Sequence, residues 1–319
     1  MDVQKLNLEE SIEELGKIVE LSAKEIDNPL CESLAEKARI IYEQYPESED
    51  IALRYARILF NLSVEQDNVE DRLNTSNAIK QIFDRFKHSE DIALHYAMVL
   101  ANLSVEQDNV EDLLKTSKAV KQIFDSFKHS EDIALRYVKT LVNLSTEQDN
   151  VEDRSNTVNE IKQFFDSFNH SESFALHYAM ALVNLSAKQD NVEDRLNTVN
   201  SVEEIFELFR HSEDIALQYA KTLFNLSNLQ NDIKQKQDIV NRILDILKNF
   251  SSVEILNILV DILQNNSDIT LDTDKIPTTS LTKILDKLCF YSNEDLDRKL
   301  LIRALNLDLV INTKYDILK

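Results

Sequence analysis

Apolar and polar positions along this chain follow two alternating helical patterns. The string SEDIALRYARILFNLS beginning at Ser48 returns in close copies at Ser89, Ser130, Ser171 and Ser212, always 41 residues apart. Each copy opens with a serine followed by Glu, and in four of five also by Asp, which reads as an N-cap and an acidic first turn favoured by the helix dipole. A first helix, A, is therefore predicted from each serine to the QDN triplets at Gln66, Gln107, Gln148 and Gln189. There Asp or Asn caps a second helix, B, running to His88 in the first full copy. Its apolar residues Ile79, Ile82, Phe83 and Phe86 fall at i, i+3, i+4 and i+7, giving one buried stripe and a solvated back. Helix A differs: Ile51, Ala52, Leu53, Tyr55, Ala56, Leu59, Phe60 and Leu62 span an arc of about 200° at the helical period. Such an arc needs cover on two sides, so helix A is expected between its own helix B and the A helices of adjacent copies, with Ala52 and Ala56 allowing close approach. The remaining narrow stripe should line an inner wall.

Worn copies flank the clear ones. Leu21-Ser22 is in register with Leu62-Ser63, Tyr42 and Tyr45 with Phe83 and Phe86, and Asn266 with Asn225. Self-similarity at this period marks an array in which each unit buries its apolar face only against its neighbours. The expected organisation is a degenerate N-terminal capping repeat over 1–47, a repeat array over 48–266 and a helical C-terminal cap over 267–319, where the pattern stops around Pro277. The fold class follows as all-α, a right-handed α-α superhelix of helix pairs.

Composition supports this and narrows the chemistry. With one glycine, three prolines and no tryptophan in 319 residues, sheets and glycine-dependent phosphate loops are disfavoured, while 43% hydrophobic and 29% charged residues suit a folded chain. A net charge of −22 disfavours wholesale binding to a phosphate backbone, so no nucleic-acid partner is expected. The first residues lack a basic and apolar leader, and the most apolar run, 255–263, carries Asp261, so no membrane span is expected and a cytoplasmic protein is. Cys31 and Cys289 lie far apart in the array and are not expected to pair. The Asn-Leu-Ser tripeptides at Asn61, Asn102, Asn143, Asn184 and Asn225 are formal glycosylation acceptors, but lie inside predicted helices.

The pattern A-L-x-Y-A-x-x-L-x-N-L-S, followed by a short acidic, Asn-bearing loop and a second amphipathic helix, resembles the armadillo and HEAT group of α-solenoids across about residues 48–228. The resemblance implies a concave groove in which Asn61, Asn102, Asn143, Asn184 and Asn225 hold the main chain of an extended peptide. Glycine between short helices and groove tryptophans, usual in armadillo proteins, are missing here, which favours a two-helix, HEAT-like unit. A tetratricopeptide array is the alternative relative, although its 34-residue unit is shorter.

The inner stripe reads Arg54, Arg57, Asn61; His95, Met98, Asn102; Arg136, Lys139, Asn143; His177, Met180, Asn184; and Gln218, Lys221, Asn225. It contains no acid, in a chain rich in acids elsewhere. Two readings of it stand: a binding wall for an extended and possibly acidic partner segment, or a solvated face whose asparagines tie one unit to the next. His88, His129, His170 and His211 end helix B, where imidazolium suits the negative helix terminus. Equivalent positions in neighbouring units should be about 8–10 Å apart, too far to share a metal, so neither metal nor cofactor is expected. Tyr55, Tyr96, Tyr137, Tyr178 and Tyr219 are expected in the core with a local acceptor for each hydroxyl. No catalytic constellation can be assembled, and an enzyme is not expected. The leading expectation is an interaction scaffold; a structural or oligomerising array and a tetratricopeptide-like regulatory adaptor are the alternatives.

Overall fold

A computed structural model describes residues 6–24, 28–168, 171–250 and 252–265. The described residues are all-α, with thirteen helices and no strand. The chain divides into two compact units, 1–169 and 170–319. The first unit holds α1 (Leu8–Ser22), α2 (Asn28–Gln44), α3 (Glu49–Glu65), α4 (Val69–Arg85), α5 (Glu90–Glu106), α6 (Val110–Ser126), α7 (Glu131–Glu147) and α8 (Val151–Ser167). The second holds α9 (Glu172–Lys188), α10 (Val192–Leu208), α11 (Glu213–Leu229), α12 (Ile233–Asn249) and α13 (Val253–Gln264). The expected C-terminal cap, with Pro277 and Cys289, lies outside the described residues, as does Asn266.

Within the first unit α1, α3, α5 and α7 pack side by side, and α2, α4 and α6 each wedge between two of them: α2 on α1 and α3, α4 on α3 and α5, α6 on α5 and α7. The B helices make no comparable packing with one another. The second unit repeats the scheme, with α11 against α9 and α13 and with α10 and α12 on its flanks. Helix A is thus covered on two sides as its wide apolar arc requires. Ala52, Ala56, Ala93 and Ala97 are fully buried where backbones converge, and Ile58, outside the predicted arc, is fully buried too.

Helix starts follow from local chemistry. Asn68, Asn109, Asn150, Asn191 and Asp232 cap the B helices, each side-chain oxygen accepting from backbone N–H groups of the first turn. The serine caps of the A helices are weaker: Ser48 and Ser130 accept at 3.5 Å, and Ser89, Ser171 and Ser212 make no side-chain cap bond. Helix B stops earlier than predicted, at Arg85 rather than His88, because the phenylalanine after it leaves the helical conformation. The histidines therefore sit in the turn. Instead of serving their own helix end, His88, His129 and His211 pair through Nε2 with the first-turn glutamates Glu49 (3.3 Å), Glu90 (3.1 Å) and Glu172 (3.3 Å); His170 is outside the described residues.

At the N-terminal end, α1 and α2 form a complete pair in register with α3 and α4. The positions that hold buried Ile51, Tyr55, Ile58 and Leu62 in α3 hold Glu10, Glu14, Lys17 and Leu21 in α1, all exposed. A face on which no helix packs among the described residues is thus largely polar. The register slips at the other end: Ser252, the cap of α13, follows Ser212 by one residue fewer than the repeat requires, so Asn265 rather than Asn266 is the counterpart of Asn225.

Leu59 is 3% exposed on α3 and Arg57 on the same helix is exposed. Leu59→Ala should destabilise by ~2–5 kcal/mol, the range for buried leucine truncations. Arg57→Ala should change stability by less than ~0.5 kcal/mol, as a surface site does. Chemical denaturation of the two variants checks the assignment; equal effects would mean that the faces of α3 are misread.

Candidate partner-binding face

The stripe on the A helices makes contacts along the A row. Asn61 Nδ2 donates to Ser22 Oγ (2.8 Å), Asn102 Nδ2 to Ser63 Oγ (3.1 Å) and Asn143 Nδ2 to Ser104 Oγ (2.8 Å). In the second unit Asn225 Nδ2 donates to Ser186 Oγ (2.8 Å). Every acceptor serine is one repeat back and passes its own proton to the carbonyl three residues earlier, as Ser63 does to Phe60 O (2.7 Å). The Asn-Leu-Ser tripeptide is therefore a two-part clasp: its asparagine reaches backward and its serine receives the next asparagine. Nδ2 is committed to the fold in these four residues, and their Oδ1 atoms make no hydrogen bond among the described residues.

A second clasp runs forward. Arg72, buried near the start of α4, donates from Nε to Gln66 O (2.7 Å) and from Nη1 to Asn102 O (2.6 Å), joining its own repeat to the next. Arg195 makes the equivalent link with Nη2 donating to Gln189 O and Nη1 to Asn225 O, its Nε being buried without a hydrogen-bond partner. Arg154 holds Gln148 O (2.8 Å) and Thr146 O (3.0 Å). Burial holds the Arg154 and Arg195 guanidiniums below the ordinary arginine range. Beside this clasp Gln66, Gln107, Gln148 and Gln189 accept at Oε1 from Thr75, Thr116, Thr157 and Thr198, at 2.9–3.0 Å. Sequence reasoning left these residues unremarked, although Arg, Leu113, Arg and Arg recur at the repeat period; an arginine at a helix start reads as solvated until its partner thirty residues on is known.

The cations of the row are treated differently from those elsewhere. Arg54, Arg57, Arg136 and Lys139 make no ion pair among the described residues, whereas most surface lysines and arginines of the B helices do. Nε of Arg54 and Nε of Arg136 are buried without a hydrogen-bond partner. Desolvation pulls Arg136 below its ordinary range, against the pull of Asp132 one turn earlier, and desolvation with Arg136 as neighbour does the same to Lys139. Arg54 lies over α1, where a Cβ on Gly16 would come within 3.3 Å of its Nη1.

His95 is half-buried, its Nδ1 2.7 Å from Asp91 O and its ring edge-on to Phe60. Desolvation, with Arg57 as a lesser cause, lowers its pKa from the ordinary 6.5. The unfolded chain takes up this proton first, so His95 should lower stability as pH falls through about 6.5, the loss levelling off below the folded-state value. His95→Gln should flatten the stability curve between about pH 7 and about pH 5 relative to wild type. Coincident curves, measured as denaturation midpoints, would mean that His95 is solvated.

Elsewhere on the stripe Met98 and Met180 are half-buried, His177 places Nδ1 2.6 Å from Ser173 O, Asn184 is half-buried on α9 and Lys221 is exposed. Gln218 is 8% exposed with Nε2 3.4 Å from Asp214 O, so it does not stand open on the wall. The repeated tyrosines are buried as expected, with hydroxyls that differ: Tyr137 donates to Glu160 (2.8 Å) and Tyr219 to Glu203 (2.7 Å), while burial pushes Tyr55 and Tyr96 to about 12. Among the described residues no group of three histidines, cysteines or carboxylates could hold a metal, and no helix is long and apolar enough to cross a membrane.

No protein-family model matches the chain, and a search of curated proteins finds no match. What stands is a helical-repeat fold whose A row carries unpaired cations, of which Arg54, Arg136 and Lys139 are partly buried and Arg57 is exposed.

Proposed function

We propose that this protein is a non-enzymatic interaction scaffold that holds an extended, acidic segment of a partner protein across α3, α5 and α7. The observation that carries the reading is the row of Arg54, Arg57, Arg136 and Lys139: four cations, none with an ion-pair partner among the described residues, in a chain of net charge −22. A partly desolvated cation is stabilised by an incoming carboxylate more than a hydrated one is, because less water must be displaced and the local dielectric is lower. The affinity with armadillo and HEAT arrays carried by the A-L-x-Y-A-x-x-L-x-N-L-S pattern belongs to this proposal, as does the cytoplasmic setting. The Asn–Ser clasp favours a second reading, a structural or oligomerising array, because it gives the ladder a role that needs no ligand.

Binding of acidic and basic peptide pools to the full chain separates them. The scaffold reading expects acidic peptides to bind and weaken with salt, and the Arg57→Glu, Lys139→Glu double variant to lose at least ~10-fold in affinity, or about 1.4 kcal/mol. Acidic peptides that bind the double variant as well as wild type, or fail to bind at all, would leave the structural reading standing.

A further inference from the structure

We infer that the segment held on this face is short and patterned: two acidic positions separated by about six residues, with an apolar side chain midway, on a stretch that ends at α3 and does not continue onto α1. The inference rests on the scaffold reading and adds its register, its middle residue and its end-point.

The register comes from the row itself. Cations stand on α3 (Arg54, Arg57) and α7 (Arg136, Lys139), whereas α5, between them, offers His95 and Met98. His95 is held uncharged near neutral pH by desolvation, and Met98 is a half-buried apolar side chain. Packed helices lie about 8–10 Å apart, so α3 and α7 are separated by roughly 16–20 Å, which an extended chain rising ~3.3 Å per residue crosses in about five or six residues. A carboxylate over α3 and another over α7 leave the residue between them above Met98. Thioether contact suits an aliphatic or aromatic side chain there, and an acid would lie over a helix that has no cation to meet it.

The end-point comes from α1. In the positions that α3 fills with Arg54, Arg57 and Asn61, α1 has Glu13, Gly16 and Glu20, with both carboxylates exposed. Glu13 is kept ionised by its bond to Lys17. An acidic segment that ran past α3 would meet these like charges. Gly16 has no side chain to fill the row, and the Arg54 guanidinium lies over that gap, marking the last cation of the site.

The asparagines contribute a fixed acceptor rather than a donor–acceptor pair. With Nδ2 held by the serine of the preceding repeat, Oδ1 of Asn61, Asn102 and Asn143 is oriented before any ligand arrives. Repeats about 10 Å apart offer one such oxygen to roughly every third main-chain N–H of an extended segment. A nucleic-acid strand fits this row less well, because a phosphate on every nucleotide would set charge over α5, and the chain as a whole repels it.

Fluorescence anisotropy on the full chain tests the pattern, using synthetic peptides with two Glu-Glu pairs centred about six residues apart around a central leucine, against versions spaced by about three and about nine. The expected result is a preference on the order of 10-fold for the middle spacing. Replacing the central leucine by glutamine should weaken binding several-fold in wild type and not in Met98→Asp, with circular dichroism confirming that the variant is folded. Glu13→Lys with Glu20→Lys should newly reward a third acidic pair on the α1 side. Binding that ignores spacing, yet still collapses in the Arg57→Glu, Lys139→Glu variant, overturns the pattern and leaves the scaffold reading in place. Binding indifferent to that variant sinks the scaffold reading itself. Displacement of the peptide by a single-stranded oligonucleotide at equal concentration would overturn the assignment to a polypeptide.

Discussion

Arg72→Ala is expected to destabilise the first unit by about 3–6 kcal/mol, as two charge-assisted hydrogen bonds, each worth ~1.5–3 kcal/mol, are lost together. Arg72 is a surface-type residue by composition, but it is only 9% exposed and its guanidinium joins the end of α3 to the end of α5 through Gln66 O and Asn102 O. The aliphatic stem fills space as well, so alanine also leaves a cavity. The protein supplies its own control. In the next repeat the same position is Leu113, 1% exposed, and the adjacent Gln107 is less buried than Gln66, so the carbonyl at that turn is left nearer water. Arg72→Leu should therefore cost less than Arg72→Ala, since it keeps the packing and loses the bonds. Midpoints and slopes of chemical denaturation decide the order. An Arg72→Ala variant within ~0.5 kcal/mol of wild type would show that the guanidinium is solvated in solution.

The second large effect concerns the asparagine ladder. Changing Asn61, Asn102 and Asn143 together to alanine should destabilise the first unit by about 1.5–4.5 kcal/mol, from ~0.5–1.5 kcal/mol for each Asn–Ser bond. On sequence alone these residues could serve a bound peptide while leaving the fold untouched; with Nδ2 on the serine of the preceding helix, they serve the fold first. The loss should appear as reduced cooperativity as well as a lower midpoint, because what is removed is the coupling between neighbouring repeats rather than the stability of each pair. Serine variants make an independent check. Ser63→Ala removes the acceptor for Asn102 and leaves the stripe chemically intact, so it should reproduce one third of the triple effect. Unchanged stability in the triple variant would return the ladder to a purely ligand-binding role.

The sequence by itself determined the class of this fold, the helix pairs and their period. Those features rest on short-range physics: a cap such as Asn68 acts within one turn, and the apolar stripe of α4 or the arc of α3 is set by which residues recur at i+3 and i+4. It also singled out Asn61, Arg57 and their counterparts as one face, since a helix fixes which residues share a side. Only the tertiary structure decided what that face touches. Asn61 finds Ser22 thirty-nine residues back, and Arg72 finds Asn102 O thirty residues on, across an interhelical gap that the buried alanines set and no local pattern reveals. The charge pairs above the tyrosines make the same point. Lys121 meets Glu160 beside Tyr137, and two repeats later Glu203 meets Arg242 beside Tyr219, with acid and base exchanged between the two helices. Either order satisfies the same Coulomb attraction, so the sequence is free to swap the charges, and only the packing that brings two B helices over one tyrosine shows that they are a pair.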